Sequence, residues 1–281
     1  MRHAYLIIAH NSPELLQSLI MKLDDTRNDI YVHIDKKASF DKIDFETKKS
    51  RLVYLENRID AGWGDFSLVR IELALIKVAL QNGSYTYLHL LSGADMPVKS
   101  QDEIHGECQM LSGTEFIGFS KNVSDKELEW RSQHYFLFSH EYSRLSGIKR
   151  FIRASFARLQ SLVGYRRCPL EIRKGSQWWS ITSEFAKYII SKEEYITKHF
   201  DNTFCPDEMV FQTICWNSEF KNKIYCLNDE FKGCRRYIPW INTYIRLFND
   251  EDFELMQSSD FWFARKFSQK DLTKYEQIFH N

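Results

Sequence analysis

Short apolar runs alternate with amphipathic segments over the first 120 residues. Ala4–Ala9 and Asp29–Asp35 are hydrophobic runs of the kind found in strands that are covered on both faces. Between them, Ser12-Pro13 is a favourable helix start, with Ser12 as the N-cap. Apolar residues follow it at helical spacing: Leu15, Leu16, Leu19, Ile20 and Leu23. A strand, a helix and a strand in succession predict a βαβ unit and a parallel sheet.

The same alternation continues to about residue 120. Arg51–Leu55 and Tyr85–Leu91 are predicted strands, and Phe116–Phe119 is a further one. Phe66–Gln81 is a predicted helix, which Asn82-Gly83 ends. This pattern predicts an α/β fold with a Rossmann-like, mostly parallel sheet, whose functional groups lie at the carboxyl ends of strands.

The second half of the chain is less regular. Gln177–Thr182 is a predicted strand, while Ser183–Ser191 and Asp207–Trp216 are predicted helices. Phe261–Phe267 is aromatic and basic. Because no repeat or linker interrupts the chain, we expect a single domain over residues 1–281 with an irregular C-terminal half.

Composition narrows the classes of function. The 38 basic and 38 acidic side chains cancel, which argues against broad phosphate neutralisation on a nucleic acid. Aromatic residues reach 15%, which fits either sugar-stacking surfaces or an aromatic core. No apolar run approaches membrane-spanning length and no secretory signal is evident, so we expect a cytoplasmic protein. The six cysteines form no CxxC pair or zinc spacing, and we expect buried thiols, with disulfides left open.

Residues 144–167 form a basic, amphipathic segment. No acidic residue occurs between Glu141 and Glu171, and apolar side chains alternate with seven arginines and lysines. Two interpretations stay open: a helix that lies on an anionic membrane surface, or an ordinary helix with a basic solvated face. The first would place the protein at the inner face of the membrane.

Candidate ligand groups follow the predicted strands. Ala9, His10 and Asn11 end the first strand, Asp35 ends the second, and Asp95 follows the fourth. An acid at the end of the second strand can accept hydrogen bonds from ribose or uracil, although such an acid is often only a helix cap. Because neither GxGxxG nor a Walker A pattern is present, the common dinucleotide and P-loop sites are excluded.

Two further features could carry chemistry. Asp207 and Glu208 open a predicted helix, where negative charge is favoured; one of them could instead face a cleft and remove a proton from a hydroxyl. Arg235-Arg236 and Arg265-Lys266 lie among aromatic residues, where partly desolvated cations bind phosphate strongly.

Eight segments in order resemble the core-2/I-branching β-1,6-N-acetylglucosaminyltransferase family, glycosyltransferase family 14, which includes xylosyltransferases. The segments span residues 3–267: HAYLIIAHNSPELLQ, IYVHIDKK, GWGDFSLVRIELALIKVAL, YLHLLSGADMPVKS, KGSQWWSIT, PDEMVFQTI, RRYIPW and FWFARKF. The resemblance implies a GT-A-type fold, with a nucleotide-binding half over residues 1–120 and an acceptor-binding, catalytic half over residues 121–281. It also implies inverting transfer of a sugar from a UDP-sugar to a glycan hydroxyl, with no metal and no cofactor.

The resemblance also assigns roles residue by residue. Glu208 matches the catalytic base, and Lys266 matches a lysine that binds the diphosphate. Arg236 is its expected partner, with Arg235 as the alternative and Arg265 beside them. The nucleotide-binding positions are then Ala9, His10, Asn11, Asp35 and Asp95. The acceptor-binding positions are Trp178, Trp179, Asp207 and Arg131.

The donor and acceptor are less defined. The sugar is expected to be N-acetylglucosamine or a related hexose or pentose, and the acceptor a glycan or a lipid-linked saccharide. Animal members carry a signal anchor and a stem, whereas this chain starts at the first predicted strand, so we expect a bacterial member. The alternative is a non-catalytic protein that binds nucleotide sugars or carbohydrate on the same fold.

Overall fold

The computed structural model describes residues 1–140, 145–241 and 244–279. Its largest sheet has six strands: β1 (His3–Ala9), β2 (Asn28–Ile34), β3 (Arg51–Tyr54), β4 (Tyr87–Ser92), β6 (Phe116–Ile117) and β7 (Trp179–Thr182). Their order is β3-β2-β1-β4-β7-β6. The first four are parallel, and β7 runs antiparallel to both β4 and β6.

Two small sheets lie in the second half. One joins β5 (Met96–Pro97), β11 (Phe263–Ala264) and β8 (Arg236–Tyr237), and the other pairs β9 (Trp240–Ile241) with β10 (Tyr244–Ile245). The helices are α1 (Pro13–Leu23), α2 (Ser67–Asn82), α3 (Gln101–Met110), α4 (Asp125–Gln133), α5 (Gly147–Leu162), α6 (Ser183–Ser191), α7 (Glu193–Phe200), α8 (Val210–Trp216), α9 (Glu230–Cys234), α10 (Asp250–Ser258) and α11 (Gln269–Ile278).

Helices cover both faces of the large sheet. Alternate residues of β1 enter two separate hydrophobic cores, because successive side chains of a strand point to opposite faces. Leu6 and Ile8 pack with α2 and α6, whereas Tyr5 and Ile7 pack with α1 and the C-terminal helices. All seven residues of β1 are buried, so the apolar run is continuous rather than alternating.

A crevice is expected beside the carboxyl end of β1. The chain leaves β1 towards β2 and later returns to β4 on the opposite side, which makes this edge a topological switch point. The two neighbours approach closely here, since a Cβ at Gly93 would lie 2.9 Å from the Cβ of Ala9. The predicted α/β class and the mostly parallel sheet are confirmed.

Helix α1 begins at Pro13 with Ser12 at the N-cap, as predicted, although Ser12 has a φ of 54° and its side chain makes no capping bond within the described chain. Two other local predictions are wrong. The helix predicted over 207–216 is divided: a 3-10 turn, Pro206–Glu208, precedes α8. The strand predicted over 116–119 ends at Ile117, and Gly118 then packs so closely on Glu230 that a Cβ would lie 2.4 Å from its carbonyl oxygen.

All six cysteines are free thiols, and all but Cys226 are buried. Among the described helices, none combines the length and the apolar character that crossing a bilayer requires. The single-domain assignment over residues 1–281 stays a prediction.

A glycine contact ties the loop before β7 to the end of β6. A Cβ on Gly175 would lie 1.9 Å from the carbonyl oxygen of Gly118, whereas a Cβ on Gly106 within α3 would meet nothing within 4 Å. We therefore expect Gly175→Ala to lower the free energy of unfolding by about 1–3 kcal/mol or more. The matched variant Gly106→Ala should raise it by about 0.5–1 kcal/mol. Chemical denaturation of both variants measures this; equal effects would contradict the contact.

Candidate active site

Three adjoining cavities lie at the carboxyl edge of the parallel strands. The edge cavity, of about 340 Å³, is lined by His10, Asp35, Lys37 and Trp63 among others. The central cavity, of about 490 Å³, shares Trp63 and Leu68 with it. The basic cavity, of about 600 Å³, shares Ile245 with the central one. We refer to the three cavities together as the cleft.

Glu208 faces the central cavity from the 3-10 turn. Cys205 precedes this turn with a φ of 47°, and Pro206 then starts it, so the two carboxylates follow a sharp change of direction. One oxygen of Glu208 accepts a hydrogen bond from Nη2 of Arg131 at 2.7 Å and lies 3.6 Å from Nζ of Lys174. With 34% of its side chain exposed, Glu208 is both oriented and accessible.

Asp207 is the buried neighbour of Glu208. Burial, and then the charge of Glu208, raise the pKa of Asp207 to about 7. Burial also raises the pKa of Glu72 well above its ordinary value, although Gln177 donates a hydrogen bond to it at 2.8 Å. The two carboxyls with raised pKa values are thus buried, whereas Glu208 is more exposed.

Arg265 provides a cation in the central cavity. Its guanidinium lies 3.9 Å from the centre of the Trp178 ring, and its Nε lies 3.6 Å from Asp95. Asp95 is itself fixed, since its oxygens accept hydrogen bonds from the backbone N–H of Ser92 at 3.0 Å and from the Ser92 hydroxyl at 2.5 Å. Burial lowers the pKa of Arg265, and Asp95 opposes that shift.

Lys266 turns into the basic cavity next to Arg265. Burial, and then Arg265, lower the pKa of Lys266, whereas Asp95 opposes the shift. Lys266 also lies close enough to His10 to lower the pKa of that imidazole, after the larger effect of burial. His10 lines the edge cavity and Lys266 the basic cavity.

Sequence reasoning missed two cations of the basic cavity, Arg246 and Lys270. Arg246 donates to both oxygens of Asp252, and Lys270 lies in the first turn of α11. No motif marks Arg246. Lys270 follows the FARKF segment by only three residues, which is the one signal that could have found it.

The prediction that Arg236 or Arg235 binds a diphosphate is not supported. Arg236 is 1% exposed, and it donates hydrogen bonds to three carbonyls and to the Ser180 hydroxyl inside the core. Arg235 is likewise buried, paired with Glu107, and 4.3 Å from the centre of the Tyr225 ring. Both guanidiniums complete the interior instead of facing a cavity.

Other predicted residues are divided between the cleft and its supports. His10, Asp35 and Asn11 line the cleft, as do Trp178 and Asp207. Trp179 does not, because the next position on a strand points to the opposite face, and its ring packs on Phe211 in the core. Ala9 is buried, and its carbonyl accepts a hydrogen bond from the backbone N–H of Asp35 at 2.8 Å.

Arg131 and Asp95 are buried, and their polar groups contact neighbouring side chains of the cleft. Arg131 is 7% exposed. Its guanidinium donates hydrogen bonds to Glu208, to Glu127 and to the carbonyls of Phe204 and Cys205. The prediction that Arg131 binds the acceptor is therefore not supported. The same holds for the nucleotide contact predicted for Asp95, which is 1% exposed.

Two groups have the residue types of metal sites. In the Asp250-Glu251-Asp252 segment, both oxygens of Asp252 accept from Arg246, so this acid is already neutralised. Among the described residues, His3, His89 and Cys108 bring potential ligand atoms within 4.8 Å of one another. Their two rings share a hydrogen bond of 3.1 Å inside the core, away from the cleft.

Comparison with known proteins places the chain. The profile of the family described as Core-2/I-Branching enzyme matches residues 3–257. A human beta-1,3-galactosyl-O-glycosyl-glycoprotein beta-1,6-N-acetylglucosaminyltransferase is 22% identical over 260 residues, covering 84% of this chain and 54% of that protein. Xylosyltransferase sqv-6 of Caenorhabditis briggsae is 24% identical over 264 residues, covering 84% of this chain and 31% of that protein. The chain thus spans about half, or less, of these curated relatives.

Among solved structures, apo mouse xyloside xylosyltransferase 1 aligns with 96% of this chain and 99% of that chain, at 11% identity and a TM-score of 0.40. The family profile extends from β1 into α10, so the matched residues include Glu208 and the carboxyl ends of the parallel strands. Because it matches well over half of the residues, this chain belongs to the Core-2/I-Branching enzyme family.

Proposed function

We propose that the protein transfers a sugar, N-acetylglucosamine or a related hexose or pentose, from a UDP-sugar to a hydroxyl of a glycan, with inversion. The observation that carries this proposal is the pairing, within one cavity, of an accessible carboxylate, Glu208, with a buried guanidinium, Arg265. Family membership supports glycosyl transfer in general. The donor, the stereochemistry and the independence from metal are our proposals.

The donor occupies the cleft from the edge cavity inwards. Asp35 and His10 offer hydrogen-bonding groups to a nucleoside there, and the exposed Trp63 offers a ring for stacking. The diphosphate lies beside Lys266 and Arg265, whose partial burial strengthens their attraction for an anion. The sugar then enters the central cavity next to Trp178.

Transfer needs one base and one charge acceptor. Glu208 takes the proton of the acceptor hydroxyl as that oxygen forms a bond to the anomeric carbon. The bond from that carbon to the diphosphate oxygen breaks on the opposite side, and its electron pair leaves with UDP. Lys266 and Arg265 stabilise the charge that grows on UDP. A single displacement without a covalent intermediate inverts the anomeric centre.

Charge stabilisation by side chains makes a divalent cation unnecessary in this scheme. Lys270 adds positive potential to the basic cavity. The Asp-x-Asp segment, which could otherwise hold a cation, uses Asp252 to bind Arg246. We therefore propose transfer without metal or cofactor.

The proposal is tested first by binding and product formation. A panel of UDP-sugars, each with and without glycan acceptors, should yield one pair that releases UDP and forms a β-linked product. The bound donor should also raise the unfolding temperature, since ligand at 100 times its dissociation constant adds about 2.7 kcal/mol. Protection by UDP-sugars without any transfer or hydrolysis would favour the alternative, a non-catalytic nucleotide-sugar-binding protein.

Glu208→Gln should lower turnover about 10²–10⁴-fold, because the amide cannot accept the proton of the hydroxyl. Protection by UDP should be unchanged, since Glu208 lies on the acceptor side. Glu184→Gln, an exposed site on α6, is the matched control and should keep wild-type turnover. Steady-state UDP release measures both variants, and near-normal turnover in Glu208→Gln would contradict the assignment of the base.

Lys266→Ala and Arg265→Ala should each lower turnover about 10²–10³-fold without added metal. Arg236→Ala should act differently: it leaves buried carbonyls unpaired, at about 1–3 kcal/mol each, so unfolding is the main effect. Denaturation and UDP release, measured together, separate the two classes. Unchanged turnover in Lys266→Ala, or activity only with Mn²⁺, would contradict the proposed clamp.

Asp207 should make stability depend on pH. Its pKa in the folded state, about 7, lies above that of the unfolded chain, so stability is lost as pH rises from about 4 through 7. Asp207→Asn removes this loss. The unfolding temperature of the variant relative to wild type should therefore increase between pH 5 and pH 8, by scanning calorimetry. A difference that stays constant with pH would show that Asp207 is ionised in the fold.

A further inference from the structure

Helix α5 turns its apolar side away from the protein. Its large hydrophobic residues are among the most exposed in the described chain: Ile148 at 77%, Phe151 at 71%, Leu159 at 55% and Leu162 at 84%. They recur at helical spacing and so share one face. We call this the α5 face, and it also includes Ile152 and Phe156. Residue 144, the start of the basic segment, lies outside the described residues.

The opposite side of α5 holds the helix on the protein. Its buried residues are Ala157 and Gln160. The amide of Gln160 accepts a hydrogen bond from the Tyr135 N–H at 2.8 Å and donates one to the Tyr135 carbonyl at 2.9 Å. The Ser161 hydroxyl lies 2.6 Å from Nε2 of His134. Specific polar contacts therefore fix the orientation of α5, and its apolar face is exposed in this fixed orientation.

Positive charge surrounds the α5 face. Residues 145–170 contain six arginines and lysines and no acid. At about 100° per residue, Lys149 and Arg158 fall on the two borders of the apolar face. The ammonium of Lys149 lies 5.3 Å from the ring of the half-exposed Phe138, and Arg166 pairs with the exposed Glu129 of α4 at 3.6 Å. An apolar centre with cationic borders is the composition of a helix that lies in a bilayer interface.

We propose that the α5 face docks the protein on an anionic lipid bilayer. The apolar side chains enter the boundary between headgroups and acyl chains, while the arginines and lysines reach the lipid phosphates. A second copy of the chain is a poorer occupant, because two such faces would bring their cations together. The charge of the surface thus selects an anionic partner.

The segment that anchors α5 is continuous with α4, the helix that supports Glu208. The segment that holds α5, residues 134–135, directly follows α4, and Arg131 of α4 binds Glu208 at 2.7 Å. Docking by itself does not depend on the proposed function. If that function holds, the geometry favours an acceptor saccharide carried on a membrane lipid.

The test is co-sedimentation of the full chain with vesicles of phosphatidylcholine alone or mixed with phosphatidylserine. Binding is expected only to the mixed vesicles and should weaken with salt. Lys149→Gln/Arg158→Gln removes the two cations that border the α5 face, and each is worth about fivefold in partitioning, so the loss should be about 25-fold. Lys42→Gln/Lys48→Gln removes the same charge elsewhere and should bind like wild type.

A second pair of variants tests the apolar contribution. Phe151→Ser/Leu159→Ser should lose vesicle binding, whereas Met110→Ser/Leu255→Ser, which changes exposed apolar residues on α3 and α10, should keep it. All four side chains are exposed, so unfolding curves should match wild type. Absence of binding to either vesicle would overturn the proposal. A second result would also overturn it: the wild-type protein forms a dimer that Phe151→Ser/Leu159→Ser dissociates, and it stays in the supernatant with both kinds of vesicle.

Discussion

The cleft depends on β1 lying between β2 and β4. Strands on both edges and helices on both faces bury β1 completely, and the chain leaves it towards β2 and returns to β4 on the other side. The backbone of Asp35 bonds to that of Ala9, and Gly93 lies against Ala9 without room for a side chain. The carboxyl ends of three strands therefore lie at one edge of the sheet, and the residues that follow these strands line the same cleft.

The four cations of the two aromatic, basic segments differ in what surrounds them. Arg235, Arg236, Arg265 and Lys266 all lie in aromatic, basic segments, yet two of them complete the core and two face the cleft. A buried guanidinium requires several acceptors, and Arg236 finds four of them on β4, β7 and the last residue of α9. Arg265 has fewer partners, since Trp178 covers one face of its guanidinium, and it keeps donors for an anion.

The carboxylates of the cleft follow the same logic. Asp207 is nearly enclosed, while Glu208 is accessible and lies between Arg131 and Lys174. Neighbouring positions thus hold one acid whose burial raises its pKa and one that is accessible and lies beside two cations. The division suits a reaction that needs a single base, and it arises from a 3-10 turn that aims two consecutive side chains in different directions.

The sequence by itself determined the elements whose signal is local. Continuous apolar runs predicted β1, β2 and β4, and helical spacing predicted α1, α2 and α6, since burial on two faces or on one leaves a distinct period. The order of its segments also indicated the family. Only the tertiary structure decided which arginine reaches the cleft, which tryptophan of the Trp178–Trp179 pair faces it, and that Arg131 supports Glu208. The reason is physical: the period of a helix such as α5 is the same whether its apolar face points inwards or outwards, and the solvation of a side chain depends on partners that are distant in the chain.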